Sequence, residues 1–133
     1  MFNVFIADDS KVVRERLVSN ISVMSGVTVV GLAENGIEAD KCIPCLHPDL
    51  AILDIRMPLR SGIEVLERLR RDNVDVIIMI LTNYPGPPYR EKCLEAGANF
   101  FLDKSTETDK VYTIIEQLAK NVDSANELCI GDK

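Results

Sequence analysis

An α/β fold is predicted, a doubly wound parallel sheet of five strands with five helices over its two faces. Three observations predict it. Short apolar, β-branched runs recur five times, at residues 2–7, 28–33, 50–53, 76–81 and 100–102. The segments between them carry apolar residues at helical rather than alternating spacing. Polar, chemistry-bearing residues follow directly on several of the strands. Near-continuous apolar runs are the mark of strands buried on both faces, and strands that alternate with helices imply right-handed crossovers and a parallel sheet.

The elements follow in order. After the first strand, Val13, Leu17 and Ile21 recur at intervals of four, with Val12 and Met24 widening the stripe. The second helix, residues 37–45, is the least regular, and Pro44 should bend or end it because it removes a backbone donor. The third opens after Gly62 and places Ile63, Leu66 and Leu69 on one side. Pro85, Pro87 and Pro88 delay the fourth, so a start near Tyr89 and an end at Ala96 with Gly97 as terminator are expected. The fifth begins at the capping pattern Thr106-x-x-Asp109 and runs through Val111, Ile114, Ile115, Leu118 and Val122. Five βα units in a chain of 133 residues match the flavodoxin-like arrangement, with strand order 2-1-3-4-5. One domain over residues 1–122 is expected, with a frayed tail over 123–133 where the periodicity is lost.

Composition narrows the function. Hydrophobic residues at 47% and charged residues at 27% describe a globular chain rather than a disordered one. A net charge of −6, from 21 acidic and 15 basic residues, argues against direct nucleic-acid binding, which depends on neutralising phosphates. The one basic cluster, Arg68, Arg70 and Arg71, shares its helix with Glu64 and Glu67 and reads as a solvated face. The N-terminal apolar run is interrupted by Asn3 and stops at two aspartates, unlike a secretory leader, and no run has the length of a membrane span, so a cytoplasmic location is expected. Cys42 and Cys45 have C-x-x-C spacing, but they lie late in a helix rather than at the start of one, and His47 is the only histidine. Packing cysteines are therefore preferred over a redox pair or a zinc site.

In a sheet of this kind the residues just past each strand meet at one edge, where ligands bind. Those residues are Asp8 and Asp9, Asp54, Thr82 and Lys104. Three carboxylates together repel one another and call for a cation, and an oxygen-only set with few protein ligands suits Mg²⁺. Lys104 adds a positive charge and Thr82 a hydroxyl, so the edge is suited to a metal and a phosphoryl group together. A carboxylate can accept phosphate covalently, and transfer to it needs mainly positioning and charge neutralisation. Asp54 is the best acceptor, because it lies at the centre of the edge and leaves the adjacent pair for the metal. Each residue singly has a blander reading, Asp8-Asp9-Ser10 as a helix cap, Asp54 and Pro58 as turn residues, Thr82 as a loop hydroxyl and Lys104 as a surface lysine. Their joint placement at four strand ends is what favours a site.

Over about residues 2–121 the sequence resembles the receiver domains of bacterial two-component response regulators. The resemblance rests on Ile6-Ala7-Asp8-Asp9-Ser10, Leu53-Asp54-Ile55-Arg56-Met57-Pro58 with Gly62, Leu81-Thr82, Glu95-Ala96-Gly97-Ala98, and Phe101 with Lys104. It implies that Asp54 takes a phosphoryl group from the phosphohistidine of a histidine kinase or phosphotransfer protein. It further implies that Asp9, Asp54 and the carbonyl of Arg56 bind Mg²⁺ directly, with Asp8 acting through water. Thr82 and Lys104 would contact phosphoryl oxygens, and Phe101 would be the aromatic switch, turning inward as Thr82 moves toward the phosphate.

Three positions depart from that pattern. Asn83 stands where a small residue is usual, which narrows access. Ser105 replaces a proline, so a cis bond after Lys104 is not assumed, given its cost of about 2.5–4 kcal/mol. Pro85-Gly86-Pro87-Pro88 sits where the signalling surface begins. Arg56 and Tyr84 flank the phosphoryl position and are expected to shield it from water.

The function expected is a switch that remodels the face of the fourth helix, fifth strand and fifth helix for an output partner or a second copy. Lys11, Arg14 and Glu15 are the expected kinase-docking residues. Two other readings are weighed. In one, the chain is the receiver portion of a longer DNA-binding regulator. In the other, it is a haloacid-dehalogenase-like phosphatase, whose D-x-D nucleophile pattern the Asp8-Asp9 pair lacks.

Overall fold

The computed structural model describes the backbone of residues 1–131 and the side chains of residues 1–121. Its elements are β1 (Phe2–Ala7), α1 (Lys11–Ser22), β2 (Val27–Ala33), α2 (Gly36–Leu46), β3 (Leu50–Leu53), α3 (Gly62–Arg71), β4 (Ile77–Thr82), α4 (Pro87–Glu95), β5 (Phe100–Asp103) and α5 (Thr108–Gly131). The strands form one sheet in the order β2-β1-β3-β4-β5, every pair parallel, as the alternation predicts.

Successive side chains of a strand point to opposite faces, and the core divides accordingly. Phe5, Ala7, Ala51, Leu53, Ile78 and Ile80 face α2, α3 and α4. Val4, Ile6, Leu50, Ile52, Met79 and Leu81 face α1 and α5. Because β1, β3 and β4 are covered on both sides, they show no polar alternation. Removing one of their side chains, as in Ile52→Ala, should cost about 2–5 kcal/mol.

Helix ends account for most departures from the sequence reading. Ser10, Asn35 and Ser61 cap α1, α2 and α3 by accepting from the amides of Val13, Glu38 and Glu64. Pro44 lies inside α2, which continues to Leu46 and closes on a left-handed His47. So close to the C-terminal end, the lost donor removes one bond without stopping the helix. α4 starts at Pro87 rather than near Tyr89, since prolines fit a first turn whose amides have no helical partner. α5 begins at Thr108, later than the Thr106 capping pattern implies. Asp103 holds the preceding turn, its carboxylate accepting from the Ser105 amide and its carbonyl from the amides of Thr106 and Glu107. Val12 is 64% exposed and widens no buried stripe.

The expected boundary between residues 122 and 123 falls within α5, where side chains lie outside the described residues, as residues 132–133 do altogether. Among the described residues no helix is long and apolar enough to cross a membrane.

Cys93 is a core residue, its thiol pushed up to about 11 by burial against the opposing pull of Lys92. Cys42 is half-buried against the core, whereas Cys45 is exposed and does not pack as expected. The basic cluster on α3 is also not a simple solvated face. Arg68 pairs with Asp40, Arg70 bonds the carbonyls of Val74 and Gly97, and Arg71 alone of the three is exposed.

Candidate functional site

The register of the sheet brings the strand ends together. Ala7 pairs with Leu53, so Asp8 and Asp54 leave adjacent strands side by side, and the Asp54 amide donates to the Ala7 carbonyl at 3.0 Å. Thr82 pairs with Asp103, which sets Lys104 one residue beyond, its amide donating to the Thr82 carbonyl at 2.8 Å. Gly62 opens α3 against this edge. A Cβ there would collide with the carbonyl oxygen of Asp54, so the loop returns this closely only over a glycine.

Among the described residues Asp8, Asp9 and Asp54 are the group able to hold a metal ion, with one carboxylate oxygen from each within 4.8 Å of the others. Asp8 and Asp54 are buried and Asp9 is exposed. The Lys104 Nζ lies between the buried pair, 2.6 Å from Asp8 Oδ2 and 3.1 Å from Asp54 Oδ2. The remaining oxygens are also engaged, Asp8 Oδ1 by the Ser10 amide and Asp54 Oδ1 by the Ile55 amide.

Burial raises the pKa of Asp54; Lys104 pulls it back and the charge of Asp8 pushes it further up. Lys104 is held above its ordinary value. Burial is the largest influence and lowers it, but the Asp8 hydrogen bond and the charges of Asp54 and Asp8 together outweigh it. The three carboxylates form a hard, oxygen-only donor set still short of positive charge, which fits Mg²⁺.

Above this floor stands a rim that the sequence reading anticipated only in part. The Arg56 guanidinium lies 3.9 Å from the centre of the Tyr84 ring and donates to the Tyr89 hydroxyl at 3.3 Å. Tyr89, which no sequence signal marked, borders a cavity of about 460 Å³ with Asp9, Arg56 and Ser61. Thr82 is fully buried and its hydroxyl accepts from the Tyr84 amide at 3.0 Å. Asn83 is exposed, its side-chain Oδ1 accepting from the Ser105 hydroxyl at 3.5 Å. Phe101 is buried, with the Arg90 guanidinium 5.7 Å from its ring centre. Arg14 is not the exposed docking residue expected. It donates to the Asp8 carbonyl at 2.6 Å, leaving Lys11 and Glu15 exposed.

A family model for the response regulator receiver domain matches residues 4–116. The chain belongs to that family. Receivers are the phosphoacceptor modules of two-component signalling, and the acidic floor of Asp8, Asp9 and Asp54 is consistent with a receiver's Mg²⁺ site.

Among its relatives, the Uncharacterized transcriptional regulatory protein YvfU of Bacillus subtilis is 38% identical over 120 residues, 90% of this chain and 60% of that protein. Protein-glutamate methylesterase/protein-glutamine glutaminase 1 of Carboxydothermus hydrogenoformans is 35% identical over 121 residues, 90% of this chain and 35% of that one. This receiver thus spans less than two thirds of either relative.

Among solved structures, the signal receiver domain of NarL from Mycobacterium tuberculosis superposes with a TM-score of 0.83 at 29% identity, over 90% of this chain and 96% of that one. The CheX-CheY-BeF3-Mg²⁺ complex from Borrelia burgdorferi gives 0.79 at 26%, over 88% of each chain.

Proposed function

We propose that this receiver is a phosphorylation-dependent switch in which Asp54 accepts a phosphoryl group from the phosphohistidine of a histidine kinase or phosphotransfer protein. The observation that carries this reading is the ammonium of Lys104 lodged between Asp8 and Asp54 at the end of the sheet. An Asp54 oxygen attacks phosphorus, the P–N bond to the donor histidine breaks, and its electron pair returns to the imidazole. Asp9, Asp54 and the Arg56 carbonyl would hold Mg²⁺, with Asp8 acting through water, and the ion would supply neutralisation of charge on the phosphoryl oxygens.

Lys104 neutralises the same oxygens from the other side, without acting as a base. The Thr82 hydroxyl accepts from the Tyr84 amide and keeps its own proton, which it donates to a phosphoryl oxygen. That movement draws on the 83–88 segment and on Tyr84, whose ring supports Arg56. Arg56 and Tyr84 shield the phosphoryl group from water, and Phe101 relays the change to the face of α4, β5 and α5. The receiver thus catalyses its own phosphorylation and dephosphorylation and turns over no separate substrate.

Incubation with Mg²⁺ and acetyl phosphate followed by intact-mass measurement tests this reading. Wild type should gain one phosphoryl mass and Asp54→Ala none. Equal labelling of both, or none of wild type, would refute it.

The coverage of 60% of YvfU favours a second reading, in which the receiver is one part of a longer, DNA-binding regulator. The gene sequence beyond Lys133 decides between a separate output partner and a fused one.

A further inference from the structure

The loop from Ile55 to Ser61 carries the residues that border the acid cluster, yet few backbone bonds hold its middle. The Gly62 amide donates to the Ile55 carbonyl at 2.8 Å, closing the ends of the loop. Between them, the Pro58 carbonyl accepts from the amides of Arg60 at 2.8 Å and Gly36 at 3.3 Å. Leu59 has a φ of 70°, a left-handed conformation that bulky residues rarely adopt and that persists only where the surroundings impose it.

The α2 helix packs against the residues on either side of Leu59. Its first residue, Gly36, approaches so closely that a Cβ there would collide with the Arg60 carbonyl. One turn further on, Asp40 Oδ2 accepts from Arg60 Nη1 at 2.6 Å and from Arg68 Nε on α3 at 2.7 Å. The Asp40 side chain is only 15% exposed, so its end of these charge-assisted bonds is partly shielded from water and salt.

We propose that Asp40, acting through Arg60, is a positioning residue for metal binding: it latches the β3–α3 loop to α2 and so holds Arg56 ready for Mg²⁺ beside the carboxylates that the sheet fixes. The proposal rests on the reading of Asp8, Asp9 and Asp54 as the metal site. Asp40 touches neither metal nor phosphoryl group. The two arginines have unequal parts, because Arg60 belongs to the loop and Arg68 only braces the carboxylate from α3. Outer residues that orient metal ligands commonly change affinity by about ten- to a hundredfold.

The test is calorimetric titration of the full chain with MgCl₂, using wild type, Asp40→Ala, Arg60→Ala, the double variant, Arg68→Ala and Asp54→Ala, with urea unfolding of each. Asp40→Ala and Arg60→Ala should each weaken Mg²⁺ binding by about tenfold. The double variant should be no weaker than either, since both remove one tether. Arg68→Ala should stay within about twofold of wild type. Amide exchange at Arg56, Leu59 and Arg60 should quicken in the first two variants while that of Leu66 and Leu69 on α3 does not.

Should Asp40→Ala fail to fold, Arg60→Ala carries the test by itself. Mg²⁺ affinity unchanged in Arg60→Ala would overturn the proposal, as would an equal loss in Arg68→Ala. Wild type that binds no Mg²⁺, or binds it as tightly as Asp54→Ala does, would overturn the underlying metal-site reading and this proposal with it.

Discussion

The floor of the phosphoryl site and its rim are built in different ways. Asp8, Asp54 and Lys104 are fixed by sheet register, each one residue beyond a strand that is mostly or wholly buried. Their positions follow from the core. Arg56, Tyr84 and Tyr89 stand on two loops and the first turn of α4, and they hold one another by a cation–π stack and one long hydrogen bond. Under the proposed function the floor performs the chemistry and the rim sets how long its product survives. Substitutions in the floor should change whether phosphorylation happens and how stable the fold is. Those in the rim should change lifetime alone.

The largest expected effect is at the floor. Asp54→Ala should abolish phosphoryl labelling by small donors and by a phosphohistidine donor alike, read by intact mass. Lys104→Met should come next, leaving two buried carboxylates without their cation. It should slow labelling and cost about 3 kcal/mol in urea unfolding at neutral pH without Mg²⁺. Part of that loss should return when MgCl₂ is added.

Asp54→Asn should act in the opposite sense on stability. Because burial raises the Asp54 pKa, the folded state binds that proton more tightly than the unfolded chain does. Stability present at low pH is then lost as pH rises through the raised value. A neutral amide in place of the carboxylate should thus stabilise the metal-free protein at neutral pH, read as a higher urea midpoint. The gain should disappear below the ordinary carboxylate range. A gain that does not vary with pH would mean that charge is not the cause.

The smallest effect on stability, and the clearest separation of rim from floor, should come from Arg56→Ala with Tyr84→Ala. Unfolding should shift by less than about 0.5–1 kcal/mol, the scale of an exposed cation–π pair. Loss of the phosphoryl label should quicken several-fold. An unchanged half-life would remove the shielding role.

The same division explains what could be read in the sequence. The strands were visible because burial on both faces leaves unbroken apolar runs, and the floor was visible because parallel strands deliver their trailing residues to one edge. Helix starts were less legible. Pro87 and Pro88 look like breakers but occupy a first turn, and Asp103 delays α5 with turn bonds that compete with the Thr106 cap.

Least legible were pairings between distant charges. Asp40, Arg60 and Arg68 are separated by 20 and 28 positions and look like solvated residues until α2 and α3 are placed side by side. Arg14 likewise resembled a surface residue of α1, and only the position of the Asp8 carbonyl shows where it turns.

The central claim is that the carboxylate of Asp54, and no other, forms the acyl phosphate. Reducing the phosphorylated protein with borohydride converts the phosphorylated aspartate to homoserine, and peptide mapping then locates it. The expected result is homoserine at position 54 with Asp8 and Asp9 intact. Conversion at Asp8 or Asp9, or none in protein that carries the phosphoryl mass, would contradict the account.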